Sequence, residues 1–289
     1  MSALEKAFET ARAAQRRVVM PETDDPRMAE AAKRLTDEGL AQVVSVEDAR
    51  DADAYVEYIL RARPKTKPAL AAKMLAKPMM RAAAMVAAGE ADALIAGAAT
   101  PTRRVIEAAS LTIGLAEGVT APSSFFLMAF PDGRELIFAD CAVNVAPDAA
   151  TLASIARAAA ASGDALLDEA RVAMLSFSTL SSGAGASVDL VTEATEMLEG
   201  MALGPVQADA ALNPAIAEKK GLAEGGDANV LIFPDLDAGN IAYKLAQELA
   251  GAQAIGPFLQ GFARPVCDLS RGATVEDVVA ATAVTLAMA

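Results

Sequence analysis

Two stretches of this chain combine residue types and spacings suited to chemistry on an anion. The first, Asp235-Leu-Asp-Ala-Gly-Asn240, follows a branched apolar run at residues 229–233 and precedes an amphipathic helical pattern over residues 241–250. It reads as a tight turn between strand and helix. The second, Cys267-Asp-Leu-Ser-Arg-Gly272, leads into an apolar helical pattern over residues 274–288. A strand, a glycine-bearing turn and a helix start leave backbone N–H groups unpaired, and the helix dipole favours negative charge there. Ser270 and Arg271 add a hydroxyl and a guanidinium to those donors, and phosphate is the natural guest. Asp277 offers a carboxylate that could accept a proton. It could equally close a capping box, since Thr274-Val-Glu-Asp277 has the required spacing. A capping carboxylate is stabilised in its charged form, which works against a base.

Further anion sites are weaker. Ser176-Phe-Ser-Thr-Leu-Ser-Ser-Gly183 is a hydroxyl-rich loop after an apolar run, and its Ser176, Ser178 and Thr179 could cradle phosphate oxygens. A buried run at residues 93–96 passes through Gly97-Ala-Ala-Thr-Pro-Thr102 into a helix with Arg103 and Arg104 in its first turns. Cations are disfavoured there, so either a bound anion or nearby acids must compensate. Arg61, Arg63, Lys65 and Lys67 form either a solvated helix end or a basic rim for a polyphosphorylated ligand. Asp140 and Asn144 could be structural hydrogen-bonders or face substrate.

Composition removes several chemistries. The 289 residues contain no histidine, which excludes His-activated Ser or Cys nucleophiles and His-containing zinc sites. Acid–base work falls to carboxylates, Lys, Tyr or Cys. The two cysteines, Cys141 and Cys267, make neither a disulfide framework nor a zinc site, so no metal is expected and a reducing cytoplasm fits. Cys267 reads as a small buried hydrophobe. A formal charge of −13 argues against nucleic acid and anionic membranes as partners. The longest apolar run, residues 278–289, is shorter than the roughly 20 residues of a membrane span. The opening MSALEKAFETARAAQRR mixes acids and bases and does not read as a signal peptide.

These side chains need a scaffold, and the chain spells one out. Helical patterns at residues 3–15, 26–35, 79–88, 151–161 and 188–198 alternate with apolar runs at 16–21, 41–46, 93–96 and 171–176. This β-α-β rhythm predicts mostly parallel sheets with flanking helices. Residues 122–130 and 136–139, joined through Asp132-Gly133, predict an antiparallel hairpin that marks the passage into a second domain. Two α/β domains are expected around a cleft: residues 1–121 plus 266–289, and an inserted 122–265.

The runs NVLIFPDLDAGN, AIGPFLQG and DLSRGATVED strongly resemble the C-terminal signature of phosphate acetyltransferases. A weaker likeness extends from the VVMPE run near the N-terminus to the last helix and includes GPVQADAAL. The resemblance implies an isocitrate/isopropylmalate dehydrogenase-like, two-domain α/β architecture, a homodimer formed through the second domain, and reversible acetyl transfer between acetyl-CoA and inorganic phosphate. Coenzyme A would be a substrate, with no resident cofactor. Asp277 would be the base toward the thiol, Arg271 would stabilise the developing anion, and Ser270 would hydrogen-bond the reacting phosphate or carbonyl. Transfer would be direct within a ternary complex. Substrate binding would draw on Ser176, Ser178, Thr179, Asn240, Tyr243, Arg103, Arg104 and Arg61. From reference acidities, full proton transfer from a thiol to a carboxylate is uphill by roughly 6 kcal/mol, a gap that a neighbouring arginine narrows. Three departures stand out: Glu107 where the family has a substrate arginine, Leu180-Ser181 where it has Lys-Gly, and Glu248 where it has arginine. Rival roles are a phosphate acyltransferase for a longer chain such as butyryl, or a non-catalytic acetyl-CoA-sensing module like those fused to malic enzymes. No malic-enzyme portion is present in these residues, which tilts the expectation back to an enzyme.

Overall fold

The computed structural model describes residues 1–223 and 225–289. They divide into unit 1, Met1–Glu117 with Gly256–Ala289, and unit 2, Gly118–Ile255. In chain order unit 1 begins with α1 (Ala3–Ala14), β1 (Arg17–Val19), α2 (Pro26–Asp37), β2 (Gln42–Val44), α3 (Val56–Ala62), α4 (Pro68–Leu75), α5 (Pro78–Ala87), β3 (Ala93–Ala96) and α6 (Thr102–Thr112). Unit 2 follows with β4 (Ser123–Ala129), β5 (Glu135–Ala139), α7 (Ala149–Leu167), β6 (Val172–Leu175), α8 (Ala186–Glu196), β7 (Ala202–Val206), α9 (Ala208–Leu212), α10 (Pro214–Lys219), β8 (Val230–Ile232) and α11 (Leu236–Ala250). The chain re-enters unit 1 along β9 (Gln253–Gln260), then β10 (Val266–Asp268) and α12 (Val275–Ala287) complete it.

In unit 1 the strand order is β2-β1-β3-β10-β9, with the first four mutually parallel and β9 antiparallel to β10. In unit 2 it is β4-β5-β8-β6-β7, with only the β4–β5 hairpin antiparallel. The mixed α/β class with mostly parallel strands and flanking helices is the one the β-α-β rhythm predicts. Unit 1 takes Gly256–Pro265 rather than leaving them with the insertion, because β9 pairs with β10 through Leu259↔Val266 and Phe258↔Cys267.

Local chemistry fixes the helix starts. Ser2 and Glu5 form a capping box on α1, whose Ala3, Ala7 and Ala11 turn inward at helical spacing. Asp25 caps α2, with Pro26 at its first position, where a missing N–H costs nothing. Apolar α12 packs against α1 and α2. Unit 2 is centred on Phe126, Met128, Phe138, Leu231 and Phe233, with Tyr243 of α11 stacked on Phe126 at 4.4 Å.

Two expected boundaries move. The turn expected at residues 235–240 is instead the first turn of α11, with Asp235 as its cap accepting from Ala238 N–H at 2.8 Å. Gly239 is there for closeness rather than for turning: a Cβ would lie 2.4 Å from the Asp140 carbonyl oxygen. α7 also runs past the expected residue 161 to Leu167. Gly163 lies within it, where a Cβ would sit 2.8 Å from the Val230 side chain.

Candidate active site

β1, β3 and β10 of unit 1 run parallel, so their carboxyl ends lie at one edge of the sheet. The connection after β1 leads outward to β2, and the later one returns across β1 to β3. Ligands of open α/β sheets sit where such connections part. Glu22 follows β1, the Gly97–Ala99 turn follows β3, and Asp268 ends β10 just before Ser270.

Of the two alternatives at the Gly97 turn, a bound anion or nearby acids, the structure supplies acids of the protein's own. Glu22 is buried, and its Oε2 accepts from Gly97 N–H (2.8 Å) and Ala98 N–H (3.0 Å), while Oε1 accepts from Ala99 N–H (3.3 Å). Successive N–H groups converging on a carboxylate form an anion nest. Only glycine fits at residue 97: its φ is +106°, and a Cβ would lie 2.6 Å from Leu269 N. Asp268 is 1% exposed, and its Oδ1 has no hydrogen-bond partner among the described residues. Burial pushes its carboxyl up to about 6, helped by the Glu22 charge and opposed by a hydrogen bond with Thr102. Acids therefore crowd the start of α6, as its two arginines require. Arg104 pairs with Glu107 at 2.6 Å, holding that carboxyl below its ordinary range, while Arg103 is exposed. Arg61, in the last turn of α3, is exposed and lies over the Tyr58 ring at 5.7 Å.

Ser270 and Arg271 are exposed on the segment between β10 and α12, and Asp277 is exposed in the first turn of α12. Ser270 Oγ accepts from Gly272 N–H at 3.3 Å, and Ala273 N–H closes the turn onto the Ser270 carbonyl at 2.9 Å. Glu276, a possible partner for Arg271, is taken by Arg34 at 2.9 Å, and the Arg271 guanidinium has no ion pair or hydrogen bond among the described residues. The capping box forms: Asp277 N–H donates to Thr274 Oγ1 at 3.2 Å, and Thr274 N–H and Oγ1–H both donate to Asp277 Oδ2 at 2.9 Å. Both return bonds use Oδ2, so Oδ1 stays free. Capping and proton acceptance can share this carboxylate.

In unit 2 the hydroxyls face inward. Ser178 Oγ donates to the Leu180 carbonyl (3.1 Å) and accepts from Gly183 N–H (2.7 Å). Thr179 Oγ1 donates to Gln207 Oε1 and accepts from Gln207 N–H, both at 3.2 Å. Ser176 is half-buried and accepts from Ser178 N–H at 3.2 Å, which leaves its own O–H to donate. Asn240 donates to the Cys141 carbonyl at 3.1 Å, and Tyr243 packs on Phe126 with Lys244 over its ring. Asp140 is a structural hub: it accepts from the Ser124 hydroxyl, from Ala142 N–H (3.0 Å), from Asn144 N–H (2.9 Å) and from Asn144 Nδ2 (2.6 Å). Both cysteines are buried, with Cys267 pushed up to about 12 by burial.

Sequence reasoning missed Glu22, Arg27 and Asp268. For Glu22 and Asp268 the signal was a charged residue at or just past the end of a buried strand, whereas Arg27 sits in the first turn of α2 and carried none. A separate cavity of about 410 Å³ opens beside the ends of β1 and β2, walled by Thr23, Asp24, Ser45, Glu47 and Arg81 among others. None of the sequence-predicted site residues lines it.

A match to the phosphate acetyl/butaryl transferase family spans residues 2–286. The chain belongs to this family. A phosphate acetyltransferase of Paracoccus denitrificans is 40% identical, with 99% of this chain and 98% of the relative aligned. One from Acetivibrio thermocellus is 36% identical over 100% of this chain and 98% of the relative. Among solved structures, a phosphotransacetylase from Streptococcus pyogenes superposes with a TM-score of 0.92 at 34% identity, covering 99% of this chain and 97% of that one. As a member of the phosphate acetyl/butaryl transferase family, this chain is an acyltransferase.

Proposed function

We propose that this chain transfers an acetyl group reversibly between acetyl-CoA and inorganic phosphate, with Ser270, Arg271 and Asp277 as the working residues. The observation that carries this assignment is their joint exposure over the turn after β10 and the first turn of α12 that follows it, in a member of an acyl-transferring family. Asp277 Oδ1 takes the thiol proton as sulfur attacks the acetyl phosphate carbonyl. Arg271, free of other partners, stabilises the charge that develops on oxygen, and Ser270 donates a hydrogen bond to the same group. The thiolate sulfur–carbon bond forms, the carbon–phosphate oxygen bond breaks, and phosphate leaves with the electron pair. Coenzyme A acts as a substrate, and no acyl-enzyme forms. Neither buried cysteine offers a thiolate, and no histidine exists to make one.

Two further assignments concern setting. α11 exposes Ile241 (57%), Leu245 (52%) and Leu249 (82%), an apolar stripe at four-residue spacing on the face away from the core. We assign it to a second copy of the chain, in keeping with the homodimer implied by the resemblance. The described residues include no helix long and apolar enough to cross a membrane, and two reduced cysteines accord with a cytoplasmic setting. The test is to supply purified chain with coenzyme A and acetyl phosphate and follow acetyl-CoA. Steady turnover is expected. Tight acetyl-CoA binding without turnover would select the sensing role, the reading that pairing of Arg104 with Glu107 favours.

A further inference from the structure

Arg27 lies in the first turn of α2, at the end of the stretch Glu22-Thr-Asp-Asp-Pro-Arg27 that leads from β1 into that helix. A guanidinium carries five N–H donors in a fixed fork. Here Nε–H donates to Asp25 Oδ1 (3.1 Å), and Nη2 to Asp25 Oδ2 (2.7 Å) and to the Ala98 carbonyl (3.2 Å). Nη1 donates to the carbonyls of Arg271 (2.9 Å) and Ala273 (2.8 Å). All five donors are spoken for, and Arg27 has none left for a ligand. Its bidentate partner Asp25 also caps α2, so the fork is aimed by a helix start. Five residues upstream, Glu22 fills the nest of the Gly97–Ala99 turn.

We propose that Glu22 and Arg27 are positioning residues for acetyl transfer: together they latch the turn after β3 to the turn that presents Ser270 and Arg271. This rests on the assignment of those two residues and Asp277 to the chemistry. Arg27 grips the backbone on both sides of Gly272, so it sets where the Arg271 side chain originates and where the cap of α12 begins. Glu22 fixes the turn whose Ala98 carbonyl Arg27 also holds. A displacement of about 1 Å in such a frame costs roughly a hundredfold in rate, even when the reacting groups are intact. Lysine keeps the charge but presents donors from a single point, and it cannot hold two carbonyls of one turn and a carbonyl of another together.

The test compares Arg27→Lys, Arg27→Ala, Glu22→Gln and, in parallel, Arg271→Ala, reading kcat, both KM values and thermal stability of each. For Arg27→Lys and Glu22→Gln, kcat should fall about tenfold or more while KM for coenzyme A and for acetyl phosphate stays within about threefold. Guanidinium ion added to Arg27→Ala should restore part of the lost kcat. A raised KM for coenzyme A with wild-type kcat would make Arg27 a substrate-binding group and overturn the proposal. Loss of thermal stability with unchanged kcat per folded molecule would make it a structural tie only, and would equally overturn it. Wild-type turnover by Arg271→Ala would instead sink the underlying catalytic assignment. An inactive Arg271→Ala beside a fully active Arg27→Lys would sink this inference alone.

Discussion

The strand-end turns of unit 1 and the Ser176–Gly183 loop of unit 2 use polar residues in opposite ways. Both follow parallel strands and both look built for phosphate. In unit 1 buried Glu22 and half-buried Arg27 make the internal hydrogen bonds, which leaves Arg271 and one oxygen of Asp277 unengaged and exposed. In unit 2 the hydroxyls of Ser178 and Thr179 make the internal bonds themselves. A polar side chain is available for chemistry only when some other group has satisfied the backbone around it.

A large contrast between the two regions comes from removing a free group. Arg271→Ala should lower kcat by about 10²–10³-fold, the usual cost of one charge-stabilising donor, with little change in thermal stability. Its opposite in unit 2 is Gly239→Ala. The added Cβ has a backbone oxygen at 2.4 Å, so a stability loss of about 1–3 kcal/mol in urea denaturation is expected.

Asp268 sharpens the comparison through pH. Its folded value of about 6 lies above the ordinary carboxylate value, chiefly because burial disfavours the charge. The protonated form therefore favours the fold: its contribution is fully present below about pH 4 and is lost as pH rises through 6. Asp268→Asn should be more stable than wild type at pH 7–8, by on the order of 3 kcal/mol, and the advantage should vanish near pH 4. A pH-independent difference would show that ionisation of Asp268 is not the cause. The smallest effect is expected at Ser178→Ala, where lost loop bonds should cost about 1–2 kcal/mol in denaturant unfolding.

Much of the frame was legible because periodicity and turn chemistry are local. The Asp132-Gly133 hairpin, the strand at Ala93–Ala96 and the Thr274–Asp277 box form as their patterns predict. Gly239 misled because a glycine needed for close packing has the same letter as one needed for a turn. The latch was illegible for a different reason. Glu22 meets Gly97 across 75 residues, and Arg27 meets Ala273 across 246, so no window of sequence contains either pair. The resemblance pointed to Ser270, Arg271 and Asp277, but nothing local showed which groups would hold their turn.

Asp277→Asn tests the central claim most directly, because the amide oxygen can still accept from Thr274 N–H and keep the cap while the base is lost. Its kcat should fall by about 10²–10⁴-fold with thermal stability nearly unchanged. Turnover at the wild-type rate in a folded Asp277→Asn protein would show that the carboxylate only caps α12, and the proposed acid–base chemistry would be wrong.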